Sequence, residues 1–449
     1  MSQGQRVAFP AELMESIRQA NQFAFPEAEV LQQISRNFGA GLLSPEVREQ
    51  VALATRAALP PNEYIEKFSE ATKTYGSMHA INRAALHALA AASAISKFET
   101  FRTSPGDQVA FSDEMVRASQ IFEATETVVR GVADLVKVVE LLQKKNPGLP
   151  LVWRGQQDAS WGLHSSLYRL LINELQLGLP SEARGNRRPF PTEGEMVAAE
   201  GALFRLMRSA WRMDHLSGLE ILARLQHHGG PTRLLDVTRN PLIALWFAAE
   251  HSDGTADSDA RLFAIATRPV LPASDPIPAT YLDARLTQGP TPFWVEYQSD
   301  QERREADWGT GTSRRVWVPP AYDERISAQN AAFLLEGLPL PSEELLVAIS
   351  DSSESGVMWN WADLAAASCF YVLPARPSRK VRPGKVPLAP VFSFRIPAEF
   401  KPRVSRELRD MWGLLPGVVY PDIPGISQHL RRGGEWLKGA LSTELSQGQ

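Results

Sequence analysis

Apolar and polar positions change their rhythm several times along the chain, and each change predicts an element. From Pro10 to about Thr103 the pattern is helical, broken by Gly39-Ala40-Gly41, Ser44-Pro45 and Pro60-Pro61. Ser44 with Pro45 reads as an N-cap and first-turn pair. The Ala-rich run from Asn82 to Phe98 is apolar nearly all round, which predicts a buried helix. Phe101 to Asp107 reads as a linker, and Ser112 with Glu114 opens another helical or mixed segment. Val132, Leu135, Val136, Val139 and Leu142 then fall at helical spacing, and Asn146-Pro147-Gly148 stops that helix. An extended run, Leu149 to Trp153, follows, so Arg154 is expected where a strand ends.

A polar loop around Gly185-Asn186-Arg187-Arg188 precedes Thr192-x-x-Glu195, a capping-box spacing ahead of Met196, Ala199, Leu203, Phe204, Met207 and Trp211. Ser217-x-x-Glu220 repeats the spacing and starts a helix that runs into Gln226-His227-His228, where Gly229-Gly230-Pro231 must turn. Thr232 to Thr238 reads as a short strand, and Asn240-Pro241 caps an apolar helix from Leu242 to Glu250. Further strands are expected at Arg261–Ala266, Ala331–Leu335, Leu345–Ser350 and Val391–Ile396. Irregular strands after mixed helices predict an α+β fold, with no regular βαβ winding and no fixed-period repeat.

A chain of 449 residues exceeds what one core usually serves, so a helical N-terminal region (1–107) and a second, mixed α/β unit beginning soon after it are expected. Charges nearly balance at a formal −4, so there is no global basic field, and any nucleic-acid contact is expected only through local patches. Cys369 is the single cysteine, which excludes an intrachain disulfide and a multi-thiolate zinc site and suits a reducing cytoplasm. The start, Met1 to Arg6, has no apolar core, and Ala84 to Ile95 is too short to span a bilayer, so neither secretion nor membrane insertion is expected.

Four blocks carry chemistry. The first is Val152-Trp153-Arg154-Gly155-Gln156 with Trp161 and Ser166-Leu167-Tyr168-Arg169; the second is Gln226 to Thr238 with Asn240-Pro241 and Ala244 to Ala248. The third is Arg325-Ile326-Ser327-Ala328-Gln329 with Phe333, and the fourth is Tyr420 to Ile426. Together they resemble the FRG domain over roughly Ala118 to Arg432, which implies a mixed α/β domain at 118–432 followed by a tail at 433–449; the first block is similar to the aromatic-Arg-Gly signature for which the family is named. A Gly is usual shortly after the Gln of the third block, where this sequence has Asn330-Ala331. The resemblance implies a bacterial or phage-associated setting with defence or toxin-like roles.

A more distant likeness is to ADP-ribosyltransferases, in which an Arg ends the first strand, a Ser/Thr strand leads into a buried helix and a later strand carries Glu. That likeness implies a split-sheet core and NAD as substrate. Arg154, with Gly155 and Gln156, would bind the NAD phosphates, since a planar guanidinium clamps them bidentately. Thr238 would take the hydroxyl position, and His227 would help orient the ribose or nicotinamide. Gln329 stands where the acid is expected, and an amide bonds a ribose hydroxyl but cannot act as a general base. Asp236 with Gln329 would then stabilise the oxocarbenium-like positive charge, with Glu336 as the other candidate acid, or the domain would bind a nucleotide without cleaving it.

Each residue also has a structural reading. Arg154 can pair with Asp236 and hold two blocks together, the histidines can cap a helix C-terminus, and Thr238 can simply precede the Asn240 cap. Trp153, Trp161 and Trp246 are expected in the core more than as stacking platforms. His215, His227, His228 and His251 fit no HExxH spacing, so no metal is expected. There is no Gly-x-Ser-x-Gly elbow, and Arg376 to Lys385 reads as a solvated loop. The partners expected are an unknown macromolecular acceptor or a phage trigger, and the rival to an enzyme is a sensor module binding a phage protein or nucleotide.

Overall fold

The computed structural model describes residues 117, 119–175, 177, 190–250, 255–271, 281–384 and 386–431. The expected helices before Thr103, the Phe101–Asp107 linker, the 185–188 loop and the 433–449 tail lie outside them. The helices are α1 (Val132–Lys145), α2 (Ser166–Glu174), α3 (Glu193–Ser209), α4 (Gly218–His227), α5 (Pro241–Ala249), α6 (Ala284–Thr287) and α7 (Asp300–Glu305). They continue with α8 (Glu324–Ala328), α9 (Glu343–Ser352), α10 (Trp361–Ala367), α11 (Lys401–Trp412), α12 (Pro416–Val419) and α13 (Ile423–Arg431). The strands are β1 (Thr127–Val128), β2 (Leu151–Gln156), β3 (Leu235–Thr238), β4 (Ala260–Ala266), β5 (Arg315–Trp317), β6 (Ala331–Leu335), β7 (Leu373–Pro374) and β8 (Pro390–Ile396). The fold is α+β.

The described residues fall into two compact units. One holds Val197–Ile221 and Arg285–Glu296. Within it Trp294 is buried and its Nε1 donates to Glu200 at 2.9 Å, while the Gly218 amide donates to the Gly289 carbonyl. The other unit contains the sheet, whose strand order is β1-β8-β4-β2-β3-β6-β5, with β7 beside β8. Pairs are antiparallel except β1 with β8 and β7 with β8.

Local chemistry explains most element boundaries. Both capping boxes form: the Thr192 amide donates to Glu195 and the Glu195 amide to Thr192 Oγ1, and Ser217 with Glu220 repeats the exchange. Asn240 accepts from the Leu242 amide and Pro241 fills the first helical position, so α5 starts where its sequence demands. The expected strand Leu345–Ser350 is instead the middle of α9. Ser342 and two glutamates at its start favour a helix, and Leu345 and Ile349 are buried while Val347 is exposed. A short apolar run is ambiguous between strand and buried helix, and here the four-residue spacing decides. Arg154 also differs from expectation in lying inside β2, which continues to Gln156.

The core of the sheet unit sits between α5 and the face of β2, β4 and β8. Trp153, Leu262, Ala264, Phe392 and Phe394 pack with Ile243, Ala244, Leu245 and Ala248, and α1 and α11 close the layer through Leu135, Leu142, Val404 and Leu408. Trp153 and Trp246 are core residues, whereas Trp161 is exposed. Gly155 is what lets α5 lie on β2: a Cβ there would stand 1.9 Å from the Ala244 carbonyl oxygen and 2.7 Å from the Ala248 amide nitrogen. No described helix is long and apolar enough to cross a membrane.

Candidate functional site

The central strands β2 and β3 share a single register pair, Trp153 opposite Thr238, and the ladder does not extend to Arg154–Gln156. Arg154 Nη1 instead donates to the Asp236 main-chain carbonyl at 2.7 Å, so a side chain takes an acceptor beside the interrupted ladder. Arg154 Nε is buried and makes no hydrogen bond among the described residues. The Asp236 side chain is exposed although its strand is flanked on both sides, so this carboxylate opens to solvent from the middle of the sheet.

Gln226, at the end of α4, holds that carboxylate. Its Nε2 donates to Asp236 Oδ2 at 2.5 Å, and its Oε1 accepts from Thr232 Oγ1 at 2.7 Å and from Ser166 Oγ at 3.2 Å. The Thr232 amide donates in turn to Ser166 Oγ, so the first and second blocks meet here. Arg169, on α2, donates to the His164 carbonyl at 2.7 Å. Burial lowers the Arg154 guanidinium below its ordinary value, with Asp236 opposing that shift and Arg169 adding to it. Arg169 is lowered by burial too, with Cys369 and Asp236 opposing. Two guanidinium groups against one carboxylate leave local positive charge, which suits an anionic ligand.

The other expected residues are placed as follows. Gly155 faces α5, and Gln156 is buried with its Nε2 on the Gly162 carbonyl at 3.0 Å. Thr238 Oγ1 donates to the Gln329 carbonyl at 2.7 Å and accepts from the Asn240 amide, so it ties β3 to the end of α8 and to the start of α5. Gln329 Nε2 donates to the Val419 carbonyl at 3.1 Å, which ties the third block to the residue just before the fourth. Asn330 takes φ +47, the left-handed conformation that Asn tolerates better than most residues, so the turn forms there without glycine. Glu336 is buried and accepts from the Gly309 amide at 2.7 Å; burial raises its carboxyl to about 7, with Arg315 opposing.

His227 stands apart from Asp236 in its contacts. Its Nε2 lies 3.2 Å from Asp323 Oδ2, and one ligand atom from each of His227, Asp323 and Asp422 lies within 4.8 Å of the others. Burial lowers the imidazole below its ordinary value, with Asp323 opposing and Arg325 adding to the shift. Arg325 lies over the Tyr420 ring with its Nε 3.9 Å from Asp422. Tyr420 also packs edge-on against Trp246 and reaches Glu250.

Sequence reasoning missed Gln226, Arg169, Asp323 and Asp422 as site residues. All but Asp323 lie inside the four recognised blocks, and Asp323 lies two positions before the third. Polar residues within the recognised blocks, or just before one, were therefore the available signal.

Residues 150–257 match the family model of the FRG domain, which spans the first and second blocks. No curated protein and no solved structure matches the chain.

Proposed function

We propose that this FRG-domain protein binds NAD where β2 and β3 part and transfers or hydrolyses its ADP-ribosyl group, as an effector of bacterial anti-phage defence or toxin type. The observation that carries the reading is Arg154 donating to the Asp236 main chain where the central ladder is reduced to one pair, with the Asp236 carboxylate open to solvent beside it. Arg154 is half-buried, and a phosphate oxygen would accept from the part of its guanidinium not spent on the Asp236 carbonyl.

In this reading Arg154 and Arg169 hold the pyrophosphate, and Asp236, oriented by Gln226, stabilises the positive charge that develops at the nicotinamide ribose. The bond from ribose to nicotinamide breaks, nicotinamide leaves with the bonding electrons, and water or an acceptor group attacks the ribose carbon and gives up its proton to solvent. Gln226, held from the other side by Thr232 and Ser166, fixes the carboxylate against rotation, which matters because misplacement erodes such stabilisation.

A second reading, a sensor module that binds a nucleotide or phage protein without cleaving it, is favoured by Gln329. Its amide is engaged by the Val419 carbonyl, and it offers no proton-accepting group where the transferase likeness would have an acid.

The deciding experiment is nicotinamide release from NAD by the purified protein, alone and with phage-infected lysate, for wild type, Arg154→Ala and Asp236→Ala. Release that both substitutions abolish in folded protein supports the enzyme. No release in either setting sinks it and leaves the sensor reading. Binding of NAD that weakens in Arg154→Ala without any release would identify the nucleotide-sensing form.

A further inference from the structure

We propose that His227, Asp323 and Asp422 form a binding site for a divalent first-row transition ion. The three come from separate places in the fold: the last residue of α4, the N-cap of α8 and the segment just before α13. Histidine spacing alone carried no metal signal, because the two carboxylates lie about a hundred and two hundred residues further along the chain.

The geometry is that of ligands facing a shared centre. His227 Nε2 is 3.2 Å from Asp323 Oδ2, yet it makes no hydrogen bond among the described residues, and the imidazole side chain is only 9% exposed. Asp422 Oδ2 is likewise buried without a hydrogen-bond partner, in a side chain 11% exposed. Atoms that ligate one ion at about 2.0–2.2 Å sit roughly 3 to 4 Å from each other; His227 and Asp323 stand in that relation, and Asp422 brings the set within 4.8 Å.

Each carboxylate is aimed by its second oxygen. Asp323 Oδ1 accepts from the Arg325 amide at 2.8 Å as the cap of α8, and Asp422 Oδ1 accepts from the Gly425 amide at 2.6 Å. Such backbone anchors fix the orientation of the oxygens that remain. The neighbouring cation, Arg325, is held over Tyr420 with its Nε 3.9 Å from Asp422 Oδ2, beyond hydrogen-bonding reach. With the imidazole neutral, as ligation requires, the cluster keeps one net negative charge for the ion to offset. His228 packs edge-on against His227 and steadies its ring. Asp323, 24% exposed, is the side open to solvent, where water or a ligand oxygen would complete the coordination.

One imidazole and two carboxylates suit Zn2+ or Mn2+ better than the thiol-seeking ions. The site shares no residue with the Arg154–Asp236 cluster, so it stands or falls separately from the NAD reading.

The test uses the full chain, stripped with EDTA, dialysed, and titrated by calorimetry with ZnCl2 and, separately, MnCl2; retained metal is counted by elemental analysis after desalting. The expected result is about one ion per chain and a thermal midpoint that rises with ion concentration. His227→Ala, Asp422→Asn and Asp323→Asn should each weaken binding at least about tenfold. Asp323→Asn is the decisive variant, because Asn caps a helix as well as Asp and α8 keeps its start. Failure of both ions to bind, or equal affinity in wild type and a folded Asp323→Asn variant, would overturn the proposal.

Discussion

Gly155 offers the sharpest test of how the sheet unit is assembled. In Gly155→Ala the new methyl would meet the Ala244 carbonyl oxygen at 1.9 Å, its carbon at 3.0 Å and the Ala248 amide nitrogen at 2.7 Å. Comfortable contacts between such atoms lie near about 3.5 Å, so α5 must retreat from β2 by more than about 1 Å. No side-chain rotation relieves the clash, because every atom met is backbone. Moving α5 loosens Ile243, Ala244, Leu245 and Ala248 from Trp153, Leu262 and Ala264. Overpacking a core typically costs about 1–3 kcal/mol, and a clash with backbone belongs at the upper end or above it. Urea denaturation followed by tryptophan fluorescence should therefore show a loss of about 3 kcal/mol or more. Gly417→Ala is the control: nothing lies within 4 Å of its added Cβ, and the change should stay within about 1 kcal/mol. A loss below about 1 kcal/mol in Gly155→Ala would refute the claim that α5 rests directly on the bare Cα.

Other expected outcomes follow from the buried charges and caps. Arg233 and Glu193 form an almost fully buried pair at 2.6 Å, so Arg233→Met should cost about 3 kcal/mol in chemical denaturation, the lower end for breaking a buried pair, because Arg303, Trp308 and the Leu338 amide stay with the carboxylate. For Glu193, burial is the largest influence and raises its pKa, but Arg233, Arg303 and the Leu338 amide outweigh it and hold the carboxyl below 4.5. The stability it contributes is thus present above its unfolded pKa and lost as pH falls through the folded one, and acid titration of wild type against Glu193→Gln should show that loss only in wild type. Glu336 has the opposite sign. Its folded pKa is raised from 4.5 to about 7, so the native state binds the extra proton and stability falls as pH rises between those values. Glu336→Gln should therefore gain stability relative to wild type at pH 8 more than at pH 5, measured by thermal midpoints; equal effects at both would refute it. Asn240→Ala should cost about 1 kcal/mol by removing the acceptor for the Leu242 amide, readable in the same urea assay.

Much of the fold was legible along the chain because its signals are local. Thr192 with Glu195, Ser217 with Glu220, and Asn240 with Pro241 act within a few residues of themselves, and the helices they start are where they were expected. Strands β4, β6 and β8 were readable because their apolar runs are bounded by turn residues, while Leu345–Ser350 was misread because an apolar run of that length carries no unique period. The resemblance to the FRG domain also lay in contiguous blocks, so it needed no structure.

Local signals along the chain thus fix where it turns, which helices start where, and that the first and second blocks match the FRG domain. Which side chains meet is settled by packing. Whether Asp236 is buried or open depends on β3 lying between β2 and β6, and whether Gln226 can hold it depends on α4 ending beside that strand. The grouping of His227 with Asp323 and Asp422 depends on three segments brought together from distances the chain does not encode locally. The physical reason is range: capping and turn preferences act over three or four bonded neighbours, whereas packing fixes the position of a functional group relative to residues a hundred or more positions away.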